Sequence, residues 1–346
     1  MFIVSPKWIY LNNTRLEIDK SLLIDGPIIT DIVKNETIEK KYKEISRIVY
    51  PNHILMPTFT ESYLDSNNCL NKTEVETKMK SLLRNGVTRL CIHSKNYKDT
   101  MSIDINQLDI VHIIELDGKT VRQADIKGMT DVLDFYKSDS SKQFCISLNN
   151  IIDFDQDVII KLSSILNEID INLHIKGSCL QNIKDKKIIN DLMSFWSEIN
   201  LINNSCLHGA LSLNDYWKTN IKKRNITAII SYEELFNINN IMKLLHMLEK
   251  KIKCVLITET FNSYDVYQIF KIIEKLDINK KNIIDKNKII NCVTENTSNI
   301  FANFTSTGSI KKGNKASFNL FDITSNQLLK NKNCNPKLSV LDKQSL

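Results

Sequence analysis

The residues able to do chemistry gather where apolar runs end. Residues 54–65, ILMPTFTESYLD, pass from three apolar residues and a proline to Glu61, Tyr63 and Asp65, a mix of hydroxyl, carboxylate and aromatic side chains. That order suits a buried strand whose C-terminal end opens on a polar site. Glu115 closes another apolar run, DIVHIIEL. The six histidines lie at 53, 93, 112, 174, 208 and 246. A histidine near a strand end is more often a hydrogen-bonded, half-buried residue than a ligand, and His53, His93 and His112 are read in that way. His246, inside a helical pattern, is read as structural too. The eight cysteines show no Cys-x-x-Cys and no spacing of a zinc ribbon or disulfide frame. Several stand in apolar contexts such as LCIH and FCIS, which makes them buried reduced thiols.

The elements that must position such groups follow from the pattern around them. Residues 1–53 read as short strands with turn punctuation at Gly26-Pro27, and residues 308–323, GSIKKGNKASFNLFDI, read as strand, turn, strand. Neither end can bury much alone, so the two are expected to pack together as a β-sandwich domain of residues 1–53 plus 304–346. Between them strands alternate with helices. Strand candidates are 54–57, 87–93, 109–116, 143–148, 169–175, 204–209, 226–231 and 253–258, with helical patterns between most of them. Thr73 is the expected N-cap and Gly86 the stop of the first such helix, whose Val75, Met79, Leu82 and Leu83 share a face. Eight strands joined by right-handed crossovers predict a (β/α)8, TIM-like barrel over residues 54–303. An open doubly wound sheet fits the alternation too, but no Gly-x-Gly-x-x-Gly follows any strand.

Composition narrows the function classes. The 346 residues are 42% hydrophobic, enough for one large barrel and a small accessory domain. No apolar run reaches the roughly 18 residues of a membrane span, and the N-terminus lacks the flanks of a signal peptide, so a cytoplasmic protein is expected. The net charge of +6 is spread over Lys-Asn and Lys-Lys clusters between apolar segments. Nucleic-acid binding would need a concentrated basic stripe, and none is present.

Taken in order, these segments resemble the amidohydrolase superfamily across nearly the whole chain. LLIDGPIITDI is similar to that family's opening hairpin, LLRNGVTRL to its helix, Gly-Val-Thr and strand, and TENTSNIFANFTSTGSIKKGNKASFNLFD to its closing segment. LHIKGS, CLHGALSLNDY and LITETFNS look most like the branch of chlorohydrolases and aminofutalosine deaminases. The resemblance implies a divalent ion at the barrel mouth, with His174 and His208 matching two metal-binding histidines and Glu259 at the position of the metal-side aspartate. Tyr63 and Asp65 stand where a His-x-His pair belongs, and Gly177 where deaminases carry the glutamate that shuttles protons. The ligand set implied is Asp65, His174, His208 and Glu259, suited to zinc, iron or manganese if a metal is bound at all. Asp65 or Glu115 is left to act as acid or base.

Two expectations follow. One is a degenerate amidohydrolase that has lost C–N hydrolase or deaminase activity and works by binding, as a homodimer or paired with an active relative. The other is an active hydrolase or deaminase of a small purine-like substrate, with a rebuilt single-metal site.

Overall fold

The computed structural model describes residues 1–11, 15–65, 72–95, 108–122, 143–169, 173–202, 205–257, 286–298, 300 and 308–322. Two sheets organise them. The first is built from β1 (Phe2–Leu11), β2 (Arg15–Ile18), β3 (Lys20–Asp25), β4 (Ile28–Lys34), β5 (Arg47–Pro57) and the late strand β14 (Phe318–Asp322), in the order β14-β5-β1-β3-β4, with β2 paired to β1. Both chain ends therefore share one sheet, and β14 closes it antiparallel to β5.

The second sheet holds eight parallel strands in sequence order: β6 (Phe59–Asp65), β7 (Val87–Ser94), β8 (Asp109–Asp117), β9 (Gln143–Asn149), β10 (Leu173–Lys176), β11 (Cys206–His208), β12 (Thr227–Ser231) and β13 (Cys254–Ile257). Its first and last strands approach each other, so the sheet nearly closes into a TIM-like barrel. Parallel neighbours require crossovers, and among the described residues helices at Lys72–Arg84, Gln156–Ile169, Lys186–Glu198, Asp215–Lys223 and Ile238–Glu249 supply five of the seven. Local chemistry starts several of these helices after a short turn of 3-10 helix that follows the strand. The side chains of Asp185, Asn214 and Asn237 accept from the first backbone N–H groups of theirs.

Three readings of the sequence change at this point. Residues 54–57 end β5 of the six-stranded sheet, and the barrel begins at Phe59. Thr58 alone separates the two strands, so the apolar run gives no sign of the change of sheet. Thr73 lies inside the helix Lys72–Arg84, where its carbonyl accepts from Thr77 Oγ1. Of residues 308–323, Phe318–Asp322 forms the strand, while the preceding segment turns and contributes an isolated bridge between Lys315 and Ile28. Residues 264–276, YDVYQIFKIIEKL, have the pattern of an amphipathic helix and lie outside the described residues.

The barrel stands on the first sheet through its N-terminal end. Asn319 Nδ2 donates to the Gly86 carbonyl, and Ser317 Oγ hydrogen-bonds with the hydroxyls of Thr58 and Thr88. Lys315 Nζ reaches Asp109 Oδ1 at 2.7 Å, and Asp109 in turn faces the buried Arg89 at 3.5 Å. The opposite, C-terminal end is left for the site. Among the described residues no helix is long and apolar enough to cross a membrane.

Candidate metal centre at the barrel mouth

Side chains alternate across a strand, so residues two apart share a face. Cys91, Val111, Ile113, Cys145, Cys206, Ile229, Val255 and Ile257 form one buried cluster inside the barrel. Stepping two residues toward the C-terminal end of β7, β8, β9 and β11 reaches His93, Glu115, Ser147 and His208. His174 joins them from β10, beside Ser147 in register. The cysteines thus make an apolar layer below and the polar residues a layer above. Burial pushes the thiols up, Cys206 to about 12 and Cys91 well above its ordinary value, so they remain protonated beneath the site.

One ring nitrogen from each of His93, His174 and His208 lies within 4.8 Å of those of the other two. His174 Nδ1 and His208 Nε2 are 3.1 Å apart, and the ring of His93 stands edge-on to both, its centroid 6.1 Å from that of His174 and 5.9 Å from that of His208. All three side chains are buried. Burial drives His174 down to about 3, helped by the charges of His93 and Lys176, and drives His208 down in the same direction. Both imidazoles are therefore neutral at physiological pH and carry a lone pair.

Glu115 orients the third ring. Its Oε1 lies 3.2 Å from His93 Nδ1 and 3.0 Å from Lys176 Nζ. Burial alone would raise this carboxyl, but the hydrogen bond from His93 and the charges of His93 and Lys176 outweigh it and hold Glu115 at about 2. An ionised carboxylate only accepts, so His93 Nδ1 carries a proton toward it, and Nε2 is the ring nitrogen left to serve as a ligand. Glu115 is an acceptor for His93 here, not a proton donor.

The donor set fits a divalent ion. Two nitrogens on one tetrahedral ion at ~2.0–2.1 Å stand roughly 3.3 Å apart, close to the 3.1 Å between His174 and His208. Neutral imidazole suits zinc and also iron, and a ligating histidine whose other N–H meets a carboxylate is a recurrent arrangement around metals.

His174 and His208, matched to metal histidines in the sequence, come together. His93, read as half-buried and structural, is fully buried and meets them. Its signal was phase: in VTRLCIH it follows Cys91 by two residues on the inward face. Asp65 pairs with His93 in the β6–β7 register, and its side chain, like that of Tyr63, lies outside the described residues, as does Glu259. His53 packs edge-on against Tyr50, and His246 sits exposed 3.9 Å from Glu249. Gly177 follows β10 at a point of close approach. A Cβ there would meet the His208 carbonyl oxygen at 2.5 Å, so no glutamate fits without moving the backbone.

A cavity of about 540 Å³ opens beside Glu115, lined by Lys95, Leu116, Asp117, Thr120, Val121 and Asn149. Its floor is tied across two strand ends by Asn150 Nδ2 donating to Asp117 Oδ1 and by Gly118 N–H donating to the Asn149 carbonyl.

With this geometry in hand, solved structures supply the comparison. Helicobacter pylori aminofutalosine deaminase in complex with methylthio-coformycin superposes with a TM-score of 0.74 at 13% identity, over 93% of this chain and 92% of that one. The chain shares the fold of that deaminase. Guanine deaminase from C. acetobutylicum with bound guanine gives 0.70 at 12% identity, over 92% and 90% of the two chains. Atrazine chlorohydrolase from Arthrobacter aurescens, complexed with zinc, gives 0.72 at 10%, over 99% and 91%. At these identities the likeness is one of fold. No protein-family model and no curated protein sequence matches the chain.

Proposed function

We propose that the chain holds one divalent metal ion on His93, His174 and His208 and hydrolyses a C–N bond in a small nitrogen heterocycle. The observation that carries this reading is the meeting of three buried imidazoles from three strands at the C-terminal mouth of the barrel. Three protein nitrogens leave a further position for water or substrate, the arrangement of catalytic rather than structural zinc. An ion bound there would lower the pKa of a water to ~7 and polarise an adjacent C=N or C=O group.

The chain's own residues do the rest. The three histidines supply the donors, and Glu115 fixes the tautomer of His93. The cavity beside Glu115 has the volume of a small-molecule site, about 540 Å³ against the general range of roughly 300–1,000 Å³. Asp65, next to His93 in register, is proposed as a further ligand or as the acid–base group, and Glu259 as a further ligand. A heterocyclic substrate is proposed because the proteins of similar fold include a guanine deaminase with guanine bound and an aminofutalosine deaminase with methylthio-coformycin bound. The free buried thiols suit a reducing, cytoplasmic setting.

Gly177 favours a second reading, a barrel that binds such a ligand without hydrolysing it. The close approach to His208 excludes an acidic side chain there, and Glu115 is held anionic by its neighbours. Incubation of zinc- or manganese-loaded protein with a panel of aminopurines and aminotriazines, with ammonia measured, separates the two. Ammonia release that disappears in His93→Ala supports hydrolysis. Saturable binding with no ammonia supports the second reading, and neither binding nor release sinks both.

A further inference from the structure

Lys176 stands two residues after His174 on the same face of β10, while Ile175 between them points into the outer core. Its Cα pairs with that of His208, so its backbone sits between two of the three histidines. Its side chain leaves that position and crosses to β8, where Nζ lies 3.0 Å from Glu115 Oε1. The same oxygen receives His93 Nδ1 at 3.2 Å. One carboxylate oxygen thus joins the lysine that follows one histidine to the ring of another.

Glu115 has somewhere else to go. It lines the cavity at the mouth, and a glutamate has three side-chain torsions with which to swing toward solvent. An ammonium 3.0 Å from the carboxylate opposes that swing. We propose that Lys176 is a positioning residue of the three-histidine centre: it pins Glu115 against His93, and so fixes the direction in which His93 offers its second nitrogen. This rests on reading the three histidines as a metal site. Lys176 touches no metal in this role and acts through Glu115 alone, which sets it apart from a lysine that merely packs.

The test uses cobalt(II) as the probe, because its visible absorption reports ligand geometry and its affinity can be titrated. Wild type, Lys176→Met, Glu115→Gln and the double variant are compared, with Lys176→Arg as rescue. Loss of an outer partner of a ligating histidine typically lowers metal affinity about 10–100-fold. Lys176→Met is expected to weaken cobalt by an amount in that range and to shift the absorption envelope, and Lys176→Arg to restore both. In the Glu115→Gln background, Lys176→Met should add little, because the path runs through the carboxylate. Should Lys176→Met fail to fold, judged by circular dichroism, Lys176→Gln carries the same expectation. If wild type binds no cobalt, the metal reading itself fails. If wild type binds but Lys176→Met leaves affinity and spectrum unchanged, or weakens binding equally with and without Glu115, the positioning role is overturned.

Discussion

His93 Nδ1 and Glu115 Oε1 lie 3.2 Å apart at the ends of adjacent barrel strands, and this contact turns a buried histidine toward two others. It links a carboxylate that stays ionised to a ring that meets His174 and His208 at the barrel mouth. Replacing Glu115 by Gln keeps the size and removes the charge. The expected result is a fold unchanged by circular dichroism with zinc bound about 10–100-fold more weakly in competition with a chromophoric chelator. Unaltered affinity would detach Glu115 from the site.

Acid lability follows from the same cluster in metal-free protein. His174 titrates at about 3 when folded and near 6.5 when exposed, so below pH 6.5 the unfolded chain takes up a proton that the folded chain refuses. Stability is then lost as pH falls from 6.5 toward 3, with a slope approaching ~1.4 kcal/mol per pH unit per proton. Glu115, at about 2 when folded against 4.5 as its ordinary value, adds a loss of the same sign as pH falls from 4.5 toward 2. Thermal melts between pH 7.5 and 4.5 should show a steep decline that flattens in His174→Gln. A melt temperature insensitive to pH in this window would contradict the burial of neutral imidazoles.

Gly177→Ala tests the packing around His208. The new methyl would overlap the His208 carbonyl at 2.5 Å, so backbone must move. A destabilisation of about 1–3 kcal/mol is expected in urea unfolding, as for other insertions into a packed core, together with weaker metal binding. Wild-type stability and binding would show that the strand end yields at no cost.

At the other end of the barrel, Asp109 faces the buried guanidinium of Arg89 and takes the ammonium of Lys315. Asp109→Ala removes a carboxylate partner from a charge that is 1% exposed. A loss of about 2–3 kcal/mol is expected, while metal content at the far mouth stays the same. Loss of metal in this variant would couple the two ends.

Much of this architecture was legible in the sequence, for physical reasons that also explain the gaps. Apolar runs such as CVLIT and ITAIIS have no polar face and read directly as strands covered on both sides. The first barrel strand lies later than the sequence pattern suggests because β5 ends in the apolar ILMP and β6 opens on Phe59 after Thr58 alone, so the two strands read as one. His174 and His208 were legible because the residues around them resemble a known pattern. His93 had no such neighbours. Its role depends on the stagger of β7 against β8, which sets it beside Glu115, and strands buried on both faces carry no polar alternation to mark that stagger in the sequence. The shared face of Cys91 and His93, and of Ile113 and Glu115, is the signal that would have linked them.

A metal ion on His93, His174 and His208 shows itself in the metal content of the protein. Freshly purified protein, passed through chelating resin and analysed by inductively coupled plasma mass spectrometry, should carry close to one equivalent of zinc, manganese or iron. His93→Ala, folded by circular dichroism, should carry almost none. Metal-free wild type that takes up no ion on reconstitution, or His93→Ala that retains the full equivalent, would exclude a metal centre on these three histidines.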